Sequence, residues 1–237
     1  MPHSTKWFDI PYMRSGIAPL RITANFATGV VCDEYLPLDG IIRYQVQRDR
    51  LGHRDFSLPG GEDPSNMEHQ AMPIIRRRIS AEWYFMCSFA QPAKWWAAEG
   101  VDHWVKRFDT NLADLVDFDN KRGVVVIEKG QYKAYHNPYS YRVAEKCHWF
   151  CMGDGDEIKR LLSTVTHVGK KQSYGWGRVS RWEVEQWHEN CSEWIGGKPA
   201  RAIPAYLVDN AHEFNQRHYG VRPPYYGFKQ NTRCVVP

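Results

Sequence analysis

Leu20, Ile22, Ala24 and Phe26 alternate with Arg21, Thr23 and Asn25, and a period of two is the mark of a strand buried on one face. The run continues toward Val30 and Val31, so a first strand is predicted here. The period then changes. From Pro37 to Val46, the residues Leu38, Ile41, Ile42 and Val46 fall on one helical face, with Pro37 and Asp39 suited to a first turn and Asp39 read as a cap or dipole residue. Gly52 to Asn66 is rich in Gly, Pro and charge and reads as a loop. Met72 to Phe89 alternates charged and apolar positions through Ile74, Arg76, Arg77, Arg78, Ile79 and Phe85, as one long strand or two short ones would.

Gln91 to Asn120 mixes aromatic and charged residues without a clean period, and helix is expected there. Val124 to Tyr135 reads as a hairpin turning near Lys129-Gly130. Pro138 to Tyr141 then leads into a strand from Ala144 to Cys151. The clearest helix follows, because Asp154 and Glu157 have capping-box spacing and Ile158, Leu161, Leu162 and Val165 recur on one face. After a glycine-rich loop, Trp176, Arg178, Ser180, Trp182, Val184 and Gln186 alternate with their neighbours as in a strand.

This order predicts an α+β fold, a ferredoxin-like (RNA-recognition-type) sandwich. The expected layout is one domain over residues 1–190 with a β-rich insertion at about 52–140, then an irregular C-terminal extension, 191–237, packing on the domain or on a partner.

The loop from His167 to Arg181 concentrates the chemistry. It holds Gly169, Gly175 and Gly177, the aromatics Tyr174 and Trp176, and the cations Lys170, Lys171, Arg178 and Arg181, with Ser173 among them and no Asp or Glu. Glycines permit φ > 0 and close approach of backbone to a ligand, and exposed amides in such turns point at anions. Flat faces beside cations suit RNA or single-stranded DNA, which offers both bases and phosphates. The alternative reading of the same residues is a basic turn whose aromatics fold into the core.

A net charge of only +4 means that any nucleic-acid surface must be a local patch. Basic clusters occur at Arg76-Arg77-Arg78, Lys106-Arg107, Lys121-Arg122 and the glycine loop, and each could equally be a solvated face. Strand alternation would put Arg76 and Arg78 on one face and Arg77 on the other, where they could bridge phosphates or merely protect an edge. The 33 Trp, Tyr and Phe are many for this length and suit interfaces, base stacking or core. Six scattered cysteines and a start without an apolar run predict reduced thiols in a cytoplasm. Cys147 and Cys151 read as one face of a strand, and no second pair has zinc-finger spacing. No metal, no cofactor and no membrane are expected.

The segments Leu36-Pro37-Leu38-Asp39-Gly40-Ile41-Ile42, Gly153 to Leu162 and Gly169 to Val179 together resemble the RAMP superfamily of CRISPR effector subunits, most similar to the type IV Cas-five-like subunit. The resemblance implies an RNA-recognition-like fold with a glycine-rich loop after the last helix. It also implies a crRNA-binding subunit that caps the 5′ handle of the guide RNA, with the backbone and large subunits of an effector complex as partners. The strand Tyr174 to Arg181 departs from the usual RNA-recognition strand by placing Arg where a stacking aromatic belongs, which disfavours reading on the sheet face. Some members of the superfamily cut guide precursors, which needs a general acid or base. His53, His136, His148, His167 and Tyr44 are candidates, none with a partner that sequence can place. Three functions stay open: a non-catalytic RNA-binding subunit, a metal-independent endoribonuclease, and an aromatic-rich protein-interaction domain.

Overall fold

The computed structural model describes residues 16–32, 34–51, 71–79, 82–92, 98–115, 126–222, 225 and 231–237. In chain order the elements are β1 (Ile17–Phe26), α1 (Leu38–Leu51), β2 (Arg76–Ile79), β3 (Glu82–Phe85), β4 (Gln91–Pro92), β5 (Ala98–Lys106), β6 (Tyr135–Val143), β7 (Lys146–Asp154), α2 (Gly155–Leu162), β8 (Val179–Gln186), β9 (Trp194–Ile195), β10 (Lys198–Pro199), β11 (Ile203–Pro204), β12 (Gln216–Gly220) and β13 (Asn231–Val235).

The chain is α+β. Its main sheet has the order β4-β7-β1-β8 with every neighbouring pair antiparallel. Alternation along β1 sends Leu20, Ile22 and Ala24 to one face, where Trp149, Cys147 and Cys151 of β7 join them. Leu38 and Ile42 of α1 and Ile158, Leu161 and Leu162 of α2 close this core. Cys147 and Cys151 thus share the buried face, and burial pushes the Cys147 thiol up to about 12. Val30 and Val31 lie beyond β1, bridged to Arg142 and Lys170 instead of extending the strand.

Half of the predicted capping box forms. The Asp154 carboxylate accepts from the Asp156 and Glu157 amides. Glu157 instead binds Arg160, and the Asp154 amide donates to Pro73 O at 2.8 Å.

The edge of the main sheet comes from within the predicted insertion. Ser88 N–H donates to Phe150 O at 2.8 Å and Met152 N–H to Met86 O at 3.0 Å, on either side of the Cys87–Cys151 bridge. Phe89 and Ala90 then donate to Ala200 and Leu36, and pairing to β7 resumes at Gln91. Met72 to Phe89 therefore gives two short strands, of which β2 and β3 form a hairpin.

Two expectations differ from the structure. Residues 98–106, expected to be helical, form β5, and it is β5 that pairs with β6, whose first residue, Tyr135, is expected from the sequence to lie in a hairpin turning near Lys129-Gly130. A three-residue 3-10 turn at Gly130–Tyr132 precedes β6, which absorbs the Pro138 to Tyr141 linker. The expected loop at 52–66, His53 and Lys121-Arg122 lie outside the described residues.

The C-terminal extension also differs, because it is ordered into a β9–β10 hairpin and a sheet of order β11-β13-β12. Ala202, Val221, Cys234 and Val236 build a second core against Tyr84 and Phe89. Arg201 is 1% exposed and donates to the carbonyls of Ala202, Cys87 and Val221 while its guanidinium lies 4.5 Å from the Tyr84 ring centre. Asp39 is its buried counter-charge and accepts from Tyr225, a role beyond the helix cap expected of it. Burial raises the Asp39 pKa, and Arg201 opposes the shift. No helix among the described residues is long and apolar enough to cross a membrane.

Candidate nucleic-acid interface

The glycine loop sits where α2 has ended and β8 has not begun, and it is fixed by pairing across its own base and by the segment 28–31. His167 pairs with Arg178 across its base, with Val168 N–H donating to Gly177 O at 2.9 Å. Lys170 N–H donates to Val31 O at 2.5 Å, and Gly177 N–H to Gly29 O at 2.7 Å. Thr28 Oγ1 donates to Gly175 O and accepts from the Arg178 amide. The loop tip is a 3-10 turn, Gln172–Tyr174, closed by the Gly175 amide on Gln172 O.

All three loop glycines have positive φ: 82° at Gly169, 85° at Gly175 and 72° at Gly177. Their surroundings differ. A Cβ at Gly169 would collide with the Val31 carbonyl and one at Gly177 with the Val168 carbonyl, whereas Gly175 has open space. Both close approaches are therefore made to the chain's own backbone, and Gly175 faces open space.

The side chains divide in the same way. Lys170, Ser173, Tyr174, Arg178 and Arg181 are exposed, Tyr174 at 58%. Arg181 pairs with Glu183. Trp176 is half-buried, stacked on Tyr141 with ring centres 4.6 Å apart, and its Nε1 donates to Tyr139 Oη at 3.0 Å. Tyr139 Oη in turn donates to Asp102 Oδ2 at 2.6 Å. That hydrogen bond holds the Asp102 carboxyl below its usual range and raises the Tyr139 phenol. Lys171 lies over Trp104, with its Nζ 4.3 Å from the ring centre.

Sequence reading found the loop and missed its platform. Tyr139 and Tyr141 stand on β6 and Trp104 on β5, and they form the wall against which Trp176 and Lys171 rest. Tyr135, Tyr139 and Tyr141 share one face of β6, so their even spacing was the available signal. Trp104 stacks on Tyr135 and continues the wall.

Arg76, Arg77 and Arg78 lie elsewhere. β7 meets the glycine-loop end of β1 at its first residue, Lys146, while Ile74 bridges Gly153 near its last. The arginine strand is therefore at the far end of the central strands from the loop, a separation of roughly 25–30 Å over nine residues of β7. The predicted alternation holds: Arg77 pairs with Glu193 at 2.5 Å, and Arg76 lies over Trp83 at 4.7 Å. Arg78 is exposed.

The sheet face away from the helices is filled by its own contacts. Arg21 binds Glu185 at 2.7 Å and covers Trp187 at 4.0 Å, and Trp187 packs on Phe150. Thr23 Oγ1 lies 2.8 Å from His148 Nδ1. Among the other histidines, His136 stacks on His103 at 4.5 Å and His167 Nδ1 meets Thr166 Oγ1 at 3.0 Å. Tyr44 is exposed on α1. Among the described residues no group of three or more His, Cys, Asp or Glu is arranged to hold a metal ion.

These features define an α+β domain with a basic, glycine-bearing loop braced on an aromatic hairpin. Over residues 18–237 the chain matches the family described as CRISPR type IV associated protein Csf3, and it belongs to that Cas-five-like subunit family. Membership implies a role in a CRISPR effector complex. No curated protein matches the chain.

Proposed function

We propose that the chain is a non-catalytic RNA-binding subunit of a type IV CRISPR effector complex, holding the 5′ handle of the guide RNA on the glycine loop and meeting the backbone and large subunits through other surfaces. The observation that carries this reading is the loop itself: Lys170, Arg178 and Arg181 exposed around the open, positive-φ Gly175, beside the exposed ring of Tyr174. Cations with stacking faces suit a single strand better than a duplex. The sheet order β4-β7-β1-β8, with α1 following β1 and α2 following β7 in the chain, supports a ferredoxin-like sandwich of the RNA-recognition type.

The packed outer sheet face supports loop reading over sheet-face reading. Gly169 and Gly177 serve the interface by setting the loop's shape, and Trp176 by anchoring it. Arg76 and Arg78 form a second basic element at the other end of the sheet, suited to a more distant part of the guide or to a neighbouring subunit. Arg77 acts through its ion pair with Glu193.

Replacing Lys170, Lys171 and Arg178 together with Ala tests this reading by filter binding of single-stranded handle RNA over a salt series. Each phosphate contact on a single strand contributes about 0.7 to the slope of log K against log salt, so three lost contacts flatten it by about 2. An unchanged slope would remove the loop from the RNA site.

A further inference from the structure

Lys171 differs from the other cations of the loop, because its ammonium is turned inward among aromatic rings. Its Nζ lies 4.3 Å from the ring centre of Trp104, 5.6 Å from that of Tyr139 and 5.9 Å from that of Tyr174. Two rings come from the β5–β6 hairpin and one from the loop tip, so the enclosure exists only where the two meet.

The backbone adds a second observation. Lys171 has φ 59°, and only it and Asn210 among the described non-glycine residues occupy the left-handed region. That conformation is unfavourable for a residue with a Cβ and persists only when its surroundings hold it. Backbone hydrogen bonds of Lys170 N–H to Val31 O and of Tyr174 N–H to Lys171 O hold the main chain there, and the rings hold the side chain.

A space lined by π faces and filled by an unbranched alkyl chain also fits a flat heterocycle. A cation over partly wet rings is held less firmly than a base stacked on them, so exchange favours the base. The released ammonium then lies beside the incoming nucleotide, within reach of its phosphate.

We propose that Trp104, Tyr139 and Tyr174 form a stacking slot for one unstacked base of a single-stranded RNA, which the Lys171 side chain fills until RNA arrives. The slot rests on the RNA-binding reading and adds a base-recognising element to it. Trp176 takes no part, since Tyr141 covers one of its faces and Tyr139 holds its N–H.

The test compares two ligands on the full chain: a single-stranded RNA and a sugar–phosphate strand of equal length without bases. Tyr174 is the residue to vary because its ring is 58% exposed, so its removal takes little packing from the fold. Tyr174→Ala is expected to weaken RNA binding about tenfold, as loss of one stacked base does, and to leave the abasic strand unchanged. Tyr174→Phe, which keeps the ring face, is expected to bind as the wild type does. RNA carrying 4-thiouridine should photocrosslink to Tyr174 or Trp104. If Tyr174→Ala weakens both strands equally, or neither, RNA binding stands and the slot is wrong. If the wild-type chain binds neither strand at low salt, the RNA-binding reading fails first and the slot with it.

Discussion

At the scale of single residues, the loop glycines do two different jobs. Gly177 turns so tightly that a methyl group would meet the Val168 carbonyl, while Gly175 turns in open space. Gly175→Ala is therefore expected to cost only the left-handed strain, about 1–2 kcal/mol. Gly177→Ala adds a clash with rigid backbone and should cost distinctly more. Chemical denaturation of the two variants measures the difference, and equal losses would mean that Val168 moves aside freely. The glycines themselves were legible, since three in nine residues after a helix announce positive φ. What each glycine approaches was not, because Val31 lies far away in sequence and is joined to Gly169 only by the fold.

At the scale of elements, the β5–β6 hairpin owes its position to a relay in which Trp176 donates to Tyr139 and Tyr139 donates to Asp102. The Asp102 carboxyl is held below its ordinary value of 3.8, first by the Tyr139 hydroxyl and then by the His103 amide. A carboxyl with a depressed folded pKa stabilises the fold fully above its unfolded value, and that contribution is lost as pH falls through the folded one. Acid titration followed by near-ultraviolet circular dichroism should show a change in aromatic environment below pH 3.8 in the wild type. Tyr139→Phe should lack that step, and a step of equal size in the variant would detach Asp102 from the hairpin's aromatics. Helix α2 was readable because its cap and its apolar stripe are local. β5 was not, because its exposed face carries the apolar Val101 and Val105 while the face that half-buries Gly100 and Trp104 also carries Asp102 and Lys106, so polarity along the strand does not follow burial.

At the scale of the whole molecule, Arg201 ties the C-terminal extension to the first helix of the main domain. Its positive charge opposes the burial-driven rise in the pKa of Asp39, whose carboxyl also accepts from Tyr225. Arg201→Leu would remove the charge that opposes the rise in the Asp39 pKa and leave the buried Cys87, Ala202 and Val221 carbonyls without this donor, at about 1–3 kcal/mol for a buried group left unsatisfied. In the variant the folded pKa of Asp39 rises further, so the loss should be greatest at neutral pH and shrink as acid protonates the group. Thermal melts at neutral and acid pH check both the size and the sign, and a melting temperature unchanged at neutral pH would show that the extension is not coupled to the core through Arg201. β1 sits between β7 and β8 in the main sheet, and neither neighbour is close to it in sequence. About 120 residues separate Phe26 from Lys146, which a ribosome adding roughly 5–20 residues per second needs about 6–24 s to supply. During that time the apolar face of Leu20, Ile22 and Ala24 has no sheet to join. The middle of the main sheet is therefore synthesised early and enclosed late, which makes β1 the segment on which a nascent-chain chaperone would have most to do.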